Sequence, residues 1–317
     1  MNISRRDFLK ASCAVAAALG VGPSVFKGKE ALAAEGGVPV VWLQAQGCSG
    51  CSVSLLNSIY YTTIDDLLLN TLDLEYHSTV MAGAGEAAVS AAEAAYEQGG
   101  YVLVVEGAVP TAEGGQYCYL WPGTTALDGV QRFSENALVT IAVGTCASYG
   151  GMAGGSPNPT AAQGVAAVVG GRPVINIPGC PAHPDWVVGT IAYLLTYGTV
   201  PRLDTLGRPT DYFRNTVHSQ CPNRQQFFDR NLFASTLSEE GCLSRLGCKG
   251  RWAASDCPFR QWNSGGAGET GVNWCVGARS PCQGCTEPEF PDGMSPFFTL
   301  EEGKVKVRVR GADGPAR

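Results

Sequence analysis

The cysteines constrain this chain of 317 residues more than any other residue type, because their spacing is typical of metal ligands. A close pair, Cys48 and Cys51, is followed by the solitary Cys146 and Cys180. Further along, candidate ligands crowd together: His218, Cys221, Cys242, Cys248, Cys257, Cys275, Cys282 and Cys285. Soft thiolates in groups of four suit zinc or iron–sulfur clusters, and three such groups in one chain predict a role in electron transfer.

The first 33 residues have the pattern of a twin-arginine export signal. Arg5 and Arg6 precede an uncharged, alanine-rich stretch at 11–22, and a small-residue cleavage site ends at Ala33. We therefore predict a periplasmic protein whose mature chain starts near Ala34. The apolar stretch is shorter than the roughly 20 residues of a spanning helix, so no transmembrane helix is expected.

Disulfides are the first alternative for the cysteines, because the periplasm is oxidising. Against them, the twin-arginine route generally carries proteins already folded around a cofactor, so clusters can be inserted in the reducing cytoplasm. A mature chain of about 280 residues can also bury a substantial core without disulfides. The formal net charge of −6 gives no reason to expect nucleic-acid binding.

Four apolar runs in the first half predict buried strands, at 38–43, 101–105, 138–143 and 173–177. They lack polar alternation and are separated by helix-length segments, one of them starting at Ser52, which is typical of a parallel sheet covered on both faces. We predict an α/β fold, a flavodoxin-like doubly wound parallel sheet over 34–200. Periodicity then fades, which predicts a loop-rich iron–sulfur domain over 201–300 and a C-terminal extension over 301–317.

The ends of these strands predict where the first four thiolates meet. In a doubly wound sheet the carboxyl ends share one edge, where ligands bind. Cys48, Cys146 and Cys180 each follow a predicted strand closely, and Cys51 lies on the same loop as Cys48. Zinc is an alternative, although structural zinc usually takes two short ligand pairs. A redox pair of Cys48 with Cys51 would leave the other two unexplained. Sequence order alone does not divide the remaining eight ligands.

Several motifs resemble the small subunit of periplasmic nickel–iron hydrogenases: QGCSGCSVS at 46–54, VGTCASYGG at 143–151, PGCPAHPDW at 178–186, LGCKG at 246–250, NWC at 273–275 and PCQGC at 281–285. The resemblance covers nearly the whole mature chain. It implies a heterodimer with a large subunit that carries the nickel–iron site. This chain would relay electrons between that site and an external acceptor.

The resemblance also implies three [4Fe–4S] clusters and divides the ligands among them. The proximal set is Cys48, Cys51, Cys146 and Cys180, the medial set is Cys257, Cys275, Cys282 and Cys285, and the distal set is His218, Cys221, Cys242 and Cys248. Many members have proline at the position of Cys275 and a three-iron medial cluster. Cysteine there implies four irons, as in selenium-containing relatives. Glycines 50 and 151 stand where oxygen-tolerant members carry extra cysteines, which implies an ordinary proximal cluster.

The electron acceptor stays open between a c-type cytochrome and a membrane-anchored subunit. A standalone iron–sulfur carrier and a hydrogen-sensing subunit are alternative functions, although sensors act in the cytoplasm. The segment 301–317 is expected to be a solvated extension, with docking of an acidic partner as the alternative.

Three residues outside the ligand sets carry expectations of their own. Glu106, at a strand end, is expected either to contact the proximal region or move protons, or to be solvated or paired at an interface. His183 is expected to support the site or an interface without being a ligand. Cys118 is expected to be a buried apolar side chain.

Overall fold

The computed structural model describes residues 38–228, 232–237 and 239–298, so the export signal and the C-terminal extension lie outside the described residues. Its centre is a parallel sheet of five strands. The described residues form nine strands: β1 (Val38–Gln44), β2 (Leu72–His77), β3 (Tyr101–Glu106), β4 (Tyr119–Trp121), β5 (Thr124–Thr125), β6 (Ala137–Val143), β7 (Val174–Ile177), β8 (Trp262–Ser264) and β9 (Gly271–Asn273). The strand order in the parallel sheet is β2-β1-β3-β6-β7. This order is that of the flavodoxin-like doubly wound fold, which confirms the predicted α/β class.

The helices are mostly short. They are α1 (Gly50–Leu55), α2 (Ile64–Asp66), α3 (Glu86–Gln98), α4 (Ala126–Asn136), α5 (Gly144–Tyr149), α6 (Gly151–Gly154), α7 (Pro184–Tyr197), α8 (Thr210–Phe213), α9 (Val217–Gln220), α10 (Arg224–Phe228) and α11 (Cys257–Arg260). A π-helical turn covers Leu67–Thr71, and 3₁₀ turns cover Ala112–Gly115, Val165–Ala167, Leu243–Leu246 and Asp292–Met294. None of the helices in the described part of the chain is long and apolar enough to span a membrane.

Both faces of the sheet are buried, which explains why its strands lack polar alternation. On one face Trp42 and its neighbours pack against α7 through Trp186 and Ile191. On the other face Leu43 and its neighbours pack against α3 and α4, where Phe133 is fully buried. The two cores fix the strand register, and with it the positions of the loops at the carboxyl edge.

Two features of the sheet region differ from the sequence prediction. The strand β2 was not predicted, because its alternating polar residues and its place at the sheet edge give it no continuous apolar run. The first helix begins at Gly50 rather than Ser52, after Ser49 in the left-handed region at φ 61°. The earlier start places Cys51 inside the helix.

The last third of the described chain is built of loops around a small apolar core. That core consists of Val217, Ala234, Leu243, Leu246, Ala253, Trp274 and Val276. It is tied to the sheet region by a buried ion pair of Arg208 with Glu287 at 3.0 Å. The hydroxyl of Thr145 also donates to the Cys285 carbonyl and accepts the Gly179 N–H at 2.8 Å. The domain boundary near residue 200 stays a prediction.

Candidate metal centres

The first ligand set comes together at the carboxyl edge of the sheet. Cys48 and Cys51 follow β1, Cys146 lies in α5 directly after β6, and Cys180 follows β7. Burial raises the pKa of the Cys51 thiol, and negative charge on Cys146 and Cys180 raises it further. Burial, together with negative charge on Cys146 and Cys48, raises the pKa of Cys180 to about 11. The four cysteines therefore lie on neighbouring loops at one edge of the sheet.

Glycines leave the space that these sulfurs occupy. A Cβ atom at Gly144, where φ is +86°, would lie 2.5 Å from Cys51 Sγ. At Gly151, where φ is +49°, it would lie 2.9 Å from Cys146 Sγ. Because only glycine adopts such angles without strain and without a side chain in this space, the local backbone is shaped around the thiolates. A cysteine at position 151 does not fit this backbone.

Glu106 lies directly behind the loop that carries Cys51. Its Oε1 accepts the backbone N–H groups of Cys51 at 2.9 Å and Ser52 at 3.1 Å. Its Oε2 accepts the Trp42 indole N–H at 3.1 Å, the Gln44 amide at 3.2 Å and the Ser52 hydroxyl. The side chain is buried, so a solvated strand-end carboxylate was the wrong alternative. The expected contact with the proximal region is what the structure has.

The second set, from the loop-rich region, is also close-packed. Burial raises the pKa of Cys257, and so does negative charge on Cys285 and Cys275. Burial raises the pKa of Cys285 to about 12. The pKa of Cys282 is raised by burial and by negative charge on Cys248, Cys285 and Cys257. The charges that act on Cys257 and Cys285 include that of Cys275, whereas the charge that acts on Cys275 itself is that of Cys248.

One hydroxyl reaches a sulfur of the second set. Ser255 Oγ donates to Cys257 Sγ at 3.2 Å, and this bond lowers the Cys257 pKa against the effect of burial. Ser255 is itself buried, and its backbone N–H is held by the Asn215 carbonyl at 3.1 Å. The hydroxyl therefore has a fixed position relative to the sulfur.

In the third set, His218 lies in the small helix α9 and Cys221 follows that helix directly. Burial raises the pKa of Cys221, and the charges of Cys248 and Cys242 raise it further. The His218 N–H donates to the Gly250 carbonyl at 2.7 Å. A Cβ atom at Gly250 would lie 3.5 Å from both His218 N and Cys248 Sγ. The histidine and the three cysteines thus come from adjoining loops.

Hydrogen bonds join the surroundings of the three sets. The hydroxyl of Thr145, beside Cys146 of the first set, donates to the Cys285 carbonyl in the second. The N–H of Lys249, beside Cys248 of the third set, donates to the Cys282 carbonyl in the second at 2.6 Å. The second set therefore has a contact with a residue beside each of the other two sets.

The donor chemistry of the three sets fits iron–sulfur clusters. Cys48, Cys180 and Cys275 are exposed, and the other candidate cysteines are partly or fully buried. Cys51 Sγ accepts the Ala182 N–H at 3.5 Å. Burial and N–H donors both set cluster potentials. All twelve cysteines of the described residues are free of disulfides. In the same residues, no group of three or more Cys, His, Asp or Glu side chains is arranged to hold a single metal ion.

His183 and Cys118 lie outside the three sets. His183 caps α7 by accepting the Asp185 N–H at Nδ1, 3.1 Å away, and its Nε2 donates to the Gln261 carbonyl at 2.6 Å. Burial lowers its pKa to about 4, so it is neutral and joins the sheet to the loop-rich region. Cys118 is only partly buried. Sequence reasoning missed Ser255, whose position two residues before the predicted ligand Cys257 was the available signal.

Family models match three stretches of the chain. Residues 48–194 match the 20 kDa subunit of NADH ubiquinone oxidoreductase. Residues 213–298 match the C-terminal part of the NiFe/NiFeSe hydrogenase small subunit. Residues 2–22 match the signal sequence of the twin-arginine translocation pathway. The third match agrees with the predicted export route.

Similar proteins of known sequence or structure cover nearly the same length. The periplasmic [NiFeSe] hydrogenase small subunit of Desulfomicrobium baculatum is 39% identical over 95% of this chain and 100% of its own. The periplasmic [NiFe] hydrogenase small subunit of Solidesulfovibrio fructosivorans is 42% identical over 94% and 93%. The reduced NiFeSe hydrogenase structure from D. baculatum matches with a TM-score of 0.78 at 39% identity, over 84% of this chain and 100% of that one.

Proposed function

The chain belongs to the small-subunit family of nickel–iron and nickel–iron–selenium hydrogenases, and we propose that it relays electrons through three [4Fe–4S] clusters between the active site of a large subunit and an external acceptor. It is a periplasmic hydrogenase subunit with a twin-arginine signal. The observation that supports the relay is that the three candidate sets adjoin one another: Thr145, beside Cys146, donates to the Cys285 carbonyl, and the N–H of Lys249, beside Cys248, donates to the Cys282 carbonyl at 2.6 Å.

The ligand assignment follows the three sets. We assign Cys48, Cys51, Cys146 and Cys180 to the proximal cluster, Cys257, Cys275, Cys282 and Cys285 to the medial one, and His218, Cys221, Cys242 and Cys248 to the distal one. When bound, iron–sulfur clusters supply one-electron redox chemistry at potentials that their surroundings set. The chain's own groups supply those surroundings: glycine cradles, N–H donors to sulfur and the Ser255 hydroxyl. The neutral His218 imidazole removes one negative charge from the distal set, which favours a higher potential at the exit.

The large subunit would cover the face around the proximal set. Cys48 and Cys180 are exposed in this chain, and so are the apolar side chains of Val53 (55%) and Leu56 (42%) on or beside α1. A groove of about 220 Å³ adjoins them, lined in part by Val53, Pro181 and Trp262. Apolar side chains around otherwise accessible ligands are what a permanent partner interface would bury.

The acceptor would be a c-type cytochrome or a membrane-anchored subunit, approached from the distal set. A standalone carrier, the alternative function, would not need an apolar face beside its innermost ligands. A hydrogen-sensing subunit would act in the cytoplasm, which disagrees with the twin-arginine signal.

Metal analysis of the native heterodimer tests the proposal. We expect about twelve iron atoms bound by this chain, nickel in the partner, and bleaching of the iron–sulfur absorbance when hydrogen is added. Cys282→Ser should lower the iron content, whereas Cys118→Ser, outside the three sets, should leave it unchanged. Zinc in place of iron, or absorbance that hydrogen does not bleach, would contradict the relay.

A further inference from the structure

A buried cation, Lys249, lies at the junction of the second and third ligand sets and carries an inference that rests on the proposed cluster assignment. It is the only lysine in residues 38–298, and it is 2% exposed. A lysine usually keeps its ammonium group in water even where its carbon chain is buried. At 2% exposure the ammonium is removed from water as well, which is costly unless an opposite charge compensates.

Carboxylates do not supply that charge in the described part of the chain. Two largely buried arginines show the usual arrangement, since Arg208 is paired with Glu287 at 3.0 Å and Arg260 with Asp185 at 3.2 Å. None of the ion pairs among the described residues includes Lys249. Within this part of the chain, the anionic groups left to compensate its charge are cysteine thiolates.

The backbone of Lys249 joins a loop of one ligand set to a loop of the next. Lys249 follows Cys248 directly, and its N–H donates to the Cys282 carbonyl at 2.6 Å. Its carbonyl accepts the N–H groups of Trp252 at 2.9 Å and Ala253 at 3.2 Å. Hydrogen bonds on both sides of the peptide therefore fix the position from which the side chain starts.

The side chain of Lys249 starts against the turn between Cys282 and Cys285. A Cβ atom built at Gly284, in that turn, would lie 3.3 Å from the Lys249 Cβ atom. Burial lowers the pKa of Lys249, whereas negative charge on Cys248 and Cys282 raises it. The two cysteines that adjoin its backbone are thus also the groups whose negative charge favours its protonated form.

We propose that Lys249 supplies a positive charge that the medial and distal sets share, and that this charge raises the reduction potential of both. Reduction adds one negative charge to a set, so a cation beside it favours the reduced form. Because the ammonium is away from water, dissolved salt screens its effect little. One charge that acts on two neighbouring sets moves both potentials in the same direction, and it therefore changes the step between them little.

The test is a redox titration, followed by EPR, of heterodimers that carry Cys275→Ala with and without Lys249→Met. With Cys275→Ala we expect three irons in the medial set, whose signal in the oxidised protein is separate from the signals that four-iron sets give when reduced. Lys249→Met should lower the equilibrium constant for reduction of the medial set about tenfold, a shift of about 59 mV to more negative potential. Of the two four-iron transitions, the distal one should move in the same direction, and the proximal one should stay in place.

Further variants separate the charge of Lys249 from its packing. Lys249→Arg keeps the charge and should restore most of the medial potential. Arg251→Met removes an exposed charge two residues further along, where the guanidinium lies over the Phe227 ring at 5.0 Å. Solvent screens that charge, so the equilibrium constant for reduction of the medial set should change less than about twofold. Lys249→Gln serves the same comparison if the Lys249→Met heterodimer does not assemble.

Three results would overturn the inference. The first is an unchanged medial potential in Lys249→Met. The second is an equal shift in Lys249→Met and Arg251→Met, which would show that burial of the charge is irrelevant. The third is a shift of all three sets together, which would indicate a general change of structure rather than a local charge.

Failure of this inference is distinguishable from failure of the relay. The iron content and the bleaching by hydrogen, measured on the heterodimer with Lys249 in place, report the relay alone. Normal bleaching with potentials that do not depend on Lys249 would reject only the role of the lysine.

Discussion

The Glu106 carboxylate accepts the backbone N–H of Cys51 at 2.9 Å, although 55 residues separate the two in sequence. The same carboxylate holds the Ser52 N–H and hydroxyl, the Trp42 indole and the Gln44 amide. A single buried side chain therefore fixes the start of α1 against the sheet. It leaves the sulfur of Cys51, rather than its backbone, directed to the ligand set.

We expect Glu106→Gln to lower the free energy of unfolding by about 3 kcal/mol, because an amide nitrogen cannot accept the donors that face Oε2. The midpoint of denaturant unfolding of the iron-loaded heterodimer measures the loss. Glu93→Gln is the matched control. It removes a half-exposed ion pair with Arg132, which should contribute no more than about 1 kcal/mol. Equal midpoints for the two variants would contradict the assigned role of Glu106.

Gly144 and Gly123 form a matched pair of glycines. Their φ angles are +86° and +84°, but a Cβ atom at Gly144 would lie 2.5 Å from Cys51 Sγ, whereas nothing lies within 4 Å of one at Gly123. Alanine at either position should cost about 1 kcal/mol of backbone strain. Only Gly144→Ala should also lower the iron content of the purified chain. Iron loss in both variants would mean that strain alone disturbs the site.

Ser255→Ala should shift the reduction potential of the medial set to a more negative value, because hydrogen bonds to ligand sulfur stabilise the reduced cluster. A redox titration followed by EPR measures this shift directly. Thr190→Ala is the control, since its buried hydroxyl donates to the Trp186 carbonyl at 2.6 Å and reaches no sulfur. An unchanged reduction potential in Ser255→Ala would show that the hydroxyl does not influence the potential of this set.

Cys275 determines the number of irons expected in the medial cluster. In the oxidised native protein we expect no strong three-iron EPR signal. In Cys275→Ala that signal should appear, and the iron content should fall by about one atom per chain. Cys118→Ala should change neither quantity. A strong three-iron signal in the native protein would show that Cys275 does not bind iron.

Acid should destabilise the protein through its buried histidines. Burial lowers the pKa values of His77 and His183 to about 4, below the usual 6.5 of the unfolded chain. The unfolded state therefore takes up protons first. The stability contributed by each neutral imidazole is complete above pH 6.5 and is lost as the pH falls towards 4, by at most about 1.4 kcal/mol per pH unit.

His183→Asn separates this effect from other acid-labile groups. Asparagine can still cap α7, but it does not titrate. The variant should lose less stability than the native protein between pH 7 and pH 5, measured as the shift in the denaturant midpoint. Identical shifts would show that protonation of His183 makes no contribution.

The sequence predicts the sheet well where strands are buried on both faces. The runs at 101–105 and 138–143 correspond to β3 and β6, because continuous apolar strands have few alternatives in a chain of this composition. β2 could not be predicted in the same way. It pairs only with β1, and its polar positions at the sheet edge remove the signal that identifies the other strands.

Contacts distant in sequence limited the prediction of the site. Strand ends indicated that Cys146 and Cys180 would meet, since one sheet edge holds both. No local pattern indicates that Glu106 would hold the Cys51 backbone, or that Arg251 would stack over Phe227. The division of the last eight ligands came from resemblance, and it stays a prediction.

The hydrogen bonds of Thr145 limit how this sheet could be transferred to another protein. Its hydroxyl accepts the Gly179 N–H and donates to the Cys285 carbonyl, so one oxygen joins two sheet loops to the loop-rich region. A graft of the sheet onto another protein would have to replace that carbonyl. Without a replacement, the turn that carries Cys146 would lose its hydrogen bond to the loop-rich region.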